Sequence, residues 1–273
     1  MGDAVRHMHT MDYEVSMTTP SNNPDRLTAG PEPAPRAPVA QPPSAAALDT
    51  RLAHGSRSHY FDSKLKMLPG VSLPLRSMLV TGRGQQILVS PVGTAEEASH
   101  VGSDPLTLVA PSLLHHLHLP AAIERFRPVA LWGPPGLPEK LPALGPIRVL
   151  GVDPWPHADQ LEFVVIEGAP KRNEVVFFHR ASRTIYTADL FFNIREPGGV
   201  LTSLALRFMG IYRRFGAARL WRSWVTDRAA FTRSIEAVLA WDFDRIVVAH
   251  GEVLEYNARD QLEISLRELG LLE

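Results

Sequence analysis

The sequence lacks cysteine, lacks a long apolar run and has almost no net charge, and each absence excludes a class of protein. Without cysteine among its 273 residues, disulfides, thiolate metal sites and a cysteine nucleophile are ruled out. Lysine and arginine number 28 against 29 aspartates and glutamates. With no global basic field to attract a polyanion, nucleic acid is not an expected partner.

No apolar stretch predicts a membrane-spanning helix, which needs roughly 18–20 residues. The nearest candidate, residues 200–212, is shorter and contains Arg207. The first residues are polar where a secretory signal needs an apolar centre: Asp3, Arg6, His7, His9, Asp12 and Glu14. We therefore expect the protein in the cytoplasm.

Proline divides the chain into two regions. Eight prolines lie between Pro20 and Pro43, with almost no large apolar residue among them. Such a segment buries too little surface to offset its ordering entropy, so residues 1–50 are predicted to form a disordered Pro/Ala-rich tail. A ligand for a proline-binding domain is the functional alternative. Residues 51–273 have globular composition and are predicted to form one domain.

The pattern within this domain predicts strands followed by mixed strands and helices. Short β-rich runs bounded by Gly, Pro, Asn or Asp predict strands at 76–81, 85–92, 106–110, 129–132, 147–151, 161–167, 174–179, 183–187 and 245–249. Helical periodicity predicts helices at 95–101, 121–126, 227–240 with Thr226 as N-cap, and from Asn257 onward. This order favours an α/β or α+β sandwich.

Three histidines lie within four positions directly after the apolar run 106–110, in Leu114-His115-His116-Leu117-His118. Neutral imidazole is the commonest metal ligand, and loops at strand ends converge in space. The cluster therefore predicts metal binding through His115 and His116, with His118 as an alternative to His115. The competing interpretation is a solvent-facing loop with one histidine bonded to backbone.

Two further strand ends carry metal-ligating residue types. Asp189 follows the β-rich run 184–188, and a buried unpaired carboxylate there would be costly without a cation or a donor. His250 follows the strand at 245–249, with Gly251 behind it permitting a sharp turn. A turn-capping aspartate and a structural histidine are the alternatives. His179 is assigned to support of a hairpin rather than to metal binding.

The region 197–225 is predicted to be a helical insertion. It interleaves apolar and aromatic residues with Arg207, Arg213, Arg214, Arg219 and Arg222. One interpretation is an amphipathic cap that shapes a substrate entrance or makes a weak contact with anionic lipid. The other is burial against the domain with the arginine heads extended outward.

Taken together, these motifs resemble the metallo-β-lactamase-like superfamily, in particular a branch of it classed as a domain of unknown function. The resemblance covers about residues 77–255 and rests on four pieces: Val109-Ala110-Pro111 leading to His115-His116, Trp132-Gly133-Pro134-Pro135-Gly136-Leu137, residues 177–184 and residues 187–193. It implies a four-layer αββα sandwich with a metal site where strand ends meet.

The resemblance also implies a degenerate site. The superfamily's first two loop histidines fall on Pro111 and Leu113, its middle histidine falls near Pro170, and its early aspartate falls on Ser90. The positions that retain ligating residues are His115, His116, Asp189 and His250. This implies one divalent metal, most suitably zinc, with iron or manganese as alternatives.

These expectations predict a metal-dependent hydrolase of a small-molecule substrate, with a single-metal site and Asp189 as the candidate catalytic carboxylate. If all four residues bind, the tetrahedral shell is closed and the ion is structural. The alternative function is therefore a non-catalytic binding protein of the same fold, with a structural metal or none.

Overall fold

The computed structural model describes residues 55–273, so the tail predicted over 1–50 lies outside the described residues. The first sheet has the order β1 (Ser56–Leu68), β2 (Val71–Gly82), β3 (Gln85–Val89), β4 (Leu106–Val109), β5 (Ala130–Gly133) and β6 (Arg148–Val149). Strands β1 to β3 are antiparallel, and β3 to β6 are parallel. The sheet is therefore mixed.

The second sheet contains β7 (Glu162–Val165), β8 (Val175–His179), β9 (Thr184–Asn193), β10 (Phe215–Gly216) and β11 (Arg245–Gly251). Strands β7, β8 and β9 pair antiparallel, β10 pairs antiparallel with the end of β9, and β11 pairs parallel with β9. This sheet is mixed as well.

Seven helices occur in the described part of the chain. They are α1 (Ala95–His100), α2 (Leu119–Phe126), α3 (Leu137–Lys140), α4 (Val200–Met209), α5 (Trp221–Trp224), α6 (Arg228–Leu239) and α7 (Ala258–Glu268). Within residues 55–273, none of these helices has the length and apolarity needed to cross a bilayer. The segment 197–225 contains α4, β10 and α5.

Alternating side chains sort the core into three hydrophobic clusters and thereby fix the layers. On β3, Ile87 and Val89 face the second sheet, whereas Leu88 packs with Leu119 of α2 and Leu137 of α3. The second sheet alternates in the same way: Val175, Phe177, Val247 and Ala249 fill the space between the sheets, and Val176, Phe178, Ile246 and Val248 pack with α6 and α7. The order of layers is αββα.

Local predictions differ from the structure at several points, including the start of β2 at Val71 rather than at residue 76. Strand β1 was not predicted, because it alternates exposed polar residues with partly buried ones and so carries little apolar signal. Strand β9 was expected to end at Thr187, yet it continues to Asn193. The N-cap of α6 is Asp227, whose carboxylate accepts from the Ala230 N–H at 3.0 Å, while the Thr226 hydroxyl donates to Gly168 O.

His179 ends β8 and is buried, with 1% of its surface exposed. Its Nδ1 lies 2.7 Å from Ser182 Oγ in the turn between β8 and β9, and its Nε2 lies 2.9 Å from Ser56 Oγ at the start of β1. The imidazole therefore supports the hairpin, as the sequence predicted. Burial lowers the pKa of His179 to about 4.

This burial predicts a pH-dependent stability. Below about pH 6.5 the unfolded chain binds a proton that folded His179 does not, so the free energy of unfolding falls as the pH drops towards 4. We expect this loss to be about 2–3 kcal/mol smaller in His179→Gln, as measured by urea unfolding between pH 7 and pH 4. Equal pH slopes for the two proteins would contradict the assignment.

Candidate metal centre

Asp189 lies in a bulge of β9. In the parallel pairing with β11, Val248 is opposite Thr187 and His250 is opposite Phe192, so two steps along β11 (248 to 250) correspond to five along β9 (187 to 192). The surplus residues leave the regular ladder, as bulged residues do, and bulges redirect the side chains they carry. The Asp189 carboxylate is thereby directed to the end of β11, where His250 lies.

The buried Glu174 satisfies the amides that the bulge removes from the ladder. The Ala188 N–H donates to Glu174 Oε1 at 3.0 Å, and the Asp189 N–H donates to Oε2 at 2.8 Å. Trp221, on α5, donates its indole N–H to the Asp189 carbonyl oxygen at 2.9 Å. Burial raises the pKa of Glu174 to about 8, and the neighbouring charge of Asp189 contributes to this rise.

His250 is held in one tautomer by the backbone of β2. Its Nδ1 lies 2.7 Å from the Pro74 carbonyl oxygen, which can only accept a hydrogen bond, so Nδ1 carries the proton. In the neutral ring, Nε2 then carries a lone pair. The ring also stacks on Phe192, with centroids 5.1 Å apart and planes at 10°. Both contacts fix Nε2 in a ligating orientation.

His115 is oriented by Ser90. Ser90 Oγ lies 2.8 Å from His115 Nδ1. When Nδ1 donates to this hydroxyl, His115 Nε2 carries a lone pair. Tyr186, which interacts with Ser90, donates its own hydroxyl to the Arg76 carbonyl oxygen at 2.7 Å.

Ser112 joins the histidine loop to the carboxylate. Its hydroxyl donates to Asp189 Oδ2 at 3.0 Å. Ser112 Oγ itself accepts hydrogen bonds from the N–H groups of Leu114 and His115, at 3.2 and 3.3 Å. This leaves Asp189 Oδ1 directed at the two imidazoles.

His115, Asp189 and His250 form a triad with the spacing of metal ligands. The two Nε2 atoms are 3.2 Å apart, and each lies 3.5 Å from Asp189 Oδ1. Ligand atoms about 2.0–2.1 Å from a tetrahedral zinc are about 3.3–3.4 Å from each other. Among residues 55–273 this is the one group of three or more metal-type side chains with such spacing.

The electrostatics of the triad also fit a cation. Burial raises the pKa of Asp189, but the His115 and His250 imidazoles outweigh it and hold that pKa well below its ordinary value. Two imidazole lone pairs directed at each other repel unless a proton or a metal ion lies between them. The donor set, two nitrogens and one carboxylate, suits a divalent transition metal.

The structure brings together three of the four predicted ligands. His116 is outside the triad: it is half-buried in the turn after His115, and burial followed by the charge of Lys140 lowers its pKa. His118 precedes α2 and is also outside the triad. Since neighbouring residues in this turn direct their imidazoles differently, only His115 meets Asp189 and His250.

Residue spacing gave no signal for Glu174, Ser112, Tyr186 or Trp221. Ser112, Glu174 and Trp221 reach Asp189 from 77, 15 and 32 positions away in the chain. The available hint was a single Glu at the head of the apolar strand β8, where a buried carboxylate requires donors.

Two cations lie beside the histidine loop. Lys140, on α3, donates to the Leu113 carbonyl oxygen, and the Leu113 N–H donates to Arg172 O at 3.0 Å. The Arg172 guanidinium lies 3.4 Å from the centroid of the Trp224 ring. Within residues 55–273 neither cation has a carboxylate within 4.0 Å. This side of the site therefore carries positive charge.

Comparison with known proteins gives the fold. No protein-family model and no curated protein matches the chain. Among solved structures, the metal-soaked flavodiiron core of Flv1 from Synechocystis sp. PCC6803 aligns with a TM-score of 0.57 and 12% identity, over 78% of this chain and 59% of that one. This chain thus spans about three fifths of the flavodiiron core.

Two metallo-β-lactamases align over most of their own length. The enzyme from Erythrobacter litoralis gives a TM-score of 0.50 and 18% identity, over 77% of this chain and 92% of that one. The enzyme from Pontibacter korlensis gives a TM-score of 0.50 and 12% identity, over 80% of this chain and 94% of that one. The predicted fold class is confirmed: the chain has an α/β metallo-β-lactamase-like fold of two mixed sheets with flanking helices.

The role of Glu174 gives a prediction about stability. In Glu174→Gln an amide NH₂ faces one of the two bulge N–H groups, so one buried donor loses its acceptor. We expect a loss of about 1–3 kcal/mol in the free energy of unfolding, measured with urea at pH 9, where Glu174 is ionised and both of its oxygens accept.

Glu167→Gln is the matched control, since Glu167 is exposed and nearby in the chain. It should change the free energy of unfolding by less than about 0.5 kcal/mol. If both variants were equally stable, Glu174 would not be holding the bulge.

Proposed function

We propose that the protein is a metal-dependent hydrolase with one divalent ion, preferably zinc, held by His115, Asp189 and His250. The observation that carries the proposal is the geometry of the triad: three donor atoms lie 3.2–3.5 Å apart, and Pro74 and Ser90 hold the Nδ1 atoms of His250 and His115 so that both Nε2 atoms face the site. Three protein ligands leave the fourth tetrahedral position open, which is the pattern of catalytic zinc sites.

When bound, such an ion polarises a carbonyl or phosphoryl oxygen and lowers the pKa of a coordinated water towards about 7. The protein's own groups prepare that chemistry. Pro74 O fixes the tautomer of His250, and Ser90 Oγ holds His115 at Nδ1. Ser112 holds one carboxylate oxygen of Asp189 so that the other faces the ion. Partners of this kind typically change metal affinity or activity about 10–100-fold when removed.

A single ion accords with the residues around Asp189. The positions where the resembling superfamily has histidines for a second ion hold Pro111, Leu113 and the Pro170 region. The Pro111 carbonyl oxygen accepts from the Val175 N–H at 2.7 Å, and Leu113 packs against the apolar cluster of the first sheet. None of these residues offers a ligand.

The cations beside the site favour a substrate with an anionic group. Lys140, at the end of α3, and Arg172 are linked through Leu113, and the charge of Asp189 acts on Arg172. A substrate phosphate or carboxylate near the ion would meet these charges. The proposed substrate is therefore a small anionic ester, amide or phosphodiester.

One observation favours a second candidate, a non-catalytic binding protein with a structural metal. The side chains of the triad are only 4–12% exposed, as in a closed site. Movement of His116 into the fourth position would close the shell, since it is the next residue after His115.

The first test separates these functions. Protein purified without chelators should contain about one equivalent of transition metal or less, and it should turn over at least one substrate in a panel of anionic esters, lactams and phosphodiesters. Stoichiometric metal without turnover would favour the binding protein. Two tightly held ions per chain would contradict the single-metal proposal.

A pair of neighbouring variants tests the ligand set. His115→Ala removes a ligand and should weaken zinc binding by more than about a hundredfold. Removal of a residue that only hydrogen-bonds to a ligand typically weakens metal binding about 10–100-fold. His116→Ala is the matched control from the same turn and should change zinc affinity by less than about tenfold. The opposite ranking, measured by competition with a chromogenic chelator, would remove His115 from the site.

A further inference from the structure

Six large apolar side chains form one exposed surface, here called the apolar patch. They are 51–84% exposed and comprise Met67, Leu68, Val200, Leu201, Leu204 and Phe208. The tip of the β1–β2 hairpin and α4 make this surface continuous, because the Ser72 N–H donates to Thr202 Oγ1 at 3.2 Å and Gly70 lies against Leu201. Clusters of this kind mark interaction sites, whereas scattered exposed apolar residues need no explanation.

Helix α4 directs its apolar face away from the domain. At about 100° per residue, Val200, Leu201, Leu204 and Phe208 fall within an arc of about 100°. Thr202 and Leu206 lie on the opposite side and are buried. An ordinary surface helix buries its apolar stripe. Burial against the domain describes Leu206 and the part of the segment after α4, where Ile211, Phe215 and Trp221 are buried, but not the outer face of α4.

The apolar patch is bordered by exposed cations. Lys64 and Lys66 precede it on β1, and Arg207 and Arg213 lie at the end of α4 and just beyond it. Within residues 55–273 none of the four has a carboxylate within 4.0 Å. Both arginines lie over the ring of Tyr212, at 3.9 and 5.4 Å from its centroid.

We propose that the apolar patch docks on the surface of an anionic lipid bilayer. Apolar side chains would enter the boundary between headgroups and acyl chains, while the lysines and arginines would meet lipid phosphates. Charge favours this occupant over a second copy of the chain. A two-fold interface pairs each patch with itself and would bring the lysines and arginines of both copies together.

Docking would also place the triad near the bilayer. Pro74, whose carbonyl oxygen holds His250, lies on β2 four positions beyond Gly70 at the tip of the hairpin. The proposal stands on the patch alone and is independent of the proposed hydrolase.

The test is co-sedimentation of the full chain with phosphatidylcholine vesicles, with and without phosphatidylglycerol. We expect binding to the anionic vesicles that weakens at high salt. The double variant Leu204→Gln, Phe208→Gln should reduce partitioning by about tenfold or more. Lys66→Gln with Arg207→Gln should reduce binding to anionic vesicles only. Val152→Gln, which alters a residue 74% exposed outside the patch, is the control and should bind like the original protein.

Failure of the full chain to bind anionic vesicles overturns the proposal, as does equal binding by the Leu204/Phe208 double variant. Light scattering identifies one alternative occupant: self-association without vesicle binding, abolished by the double variant, would assign the patch to an interface between copies. Because all substituted side chains are exposed, melting temperatures should stay close to that of the original protein.

Discussion

The bulge at Asp189 is the constraint on which the candidate site depends. A regular β9 would pair its amides with β11 and would not direct this carboxylate to the strand end. Glu174 stabilises the bulge by accepting hydrogen bonds from the Ala188 and Asp189 N–H groups. Trp221 donates a further hydrogen bond to the Asp189 carbonyl oxygen. The chain therefore places a second buried carboxylate close to the first. The charge of Asp189 contributes to the raised pKa of Glu174, and a cation at Asp189 would lower that pKa.

The two sheets contribute different parts of the site. The second sheet supplies Asp189 and His250, and the first supplies Ser90 and the Pro74 carbonyl oxygen that orient the imidazoles. Packing between the sheets, through residues such as Phe177 on one sheet and Ile87 on the other, thus determines whether the ligands meet. We expect the metal site and the inter-sheet core to be disrupted together by mutations that separate the sheets.

Sequence reasoning was most successful where strong local patterns coincide with strand ends. Apolar runs ending at Asp189 and His250 identified two members of the triad, and the histidine cluster identified the third together with His116. The pattern could not choose between His115 and His116, because the choice depends on side-chain direction in a turn. The same pattern predicted that β9 ends at Thr187, because a charged residue such as Asp189 usually marks the end of an apolar strand. Glu174 was missed because the Ala188 and Asp189 N–H groups that donate to it come near it only in the folded chain.

In the proposed centre, two imidazoles and one carboxylate hold a single ion with an open position. X-ray absorption at the zinc K edge tests it most directly, on protein loaded with one equivalent of zinc. We predict two imidazole nitrogens at about 2.0–2.1 Å and oxygen ligands at about 2.0–2.2 Å, with the signature of one imidazole lost in His250→Ala. A shell of three imidazoles, or one composed of oxygen alone, would contradict the claim.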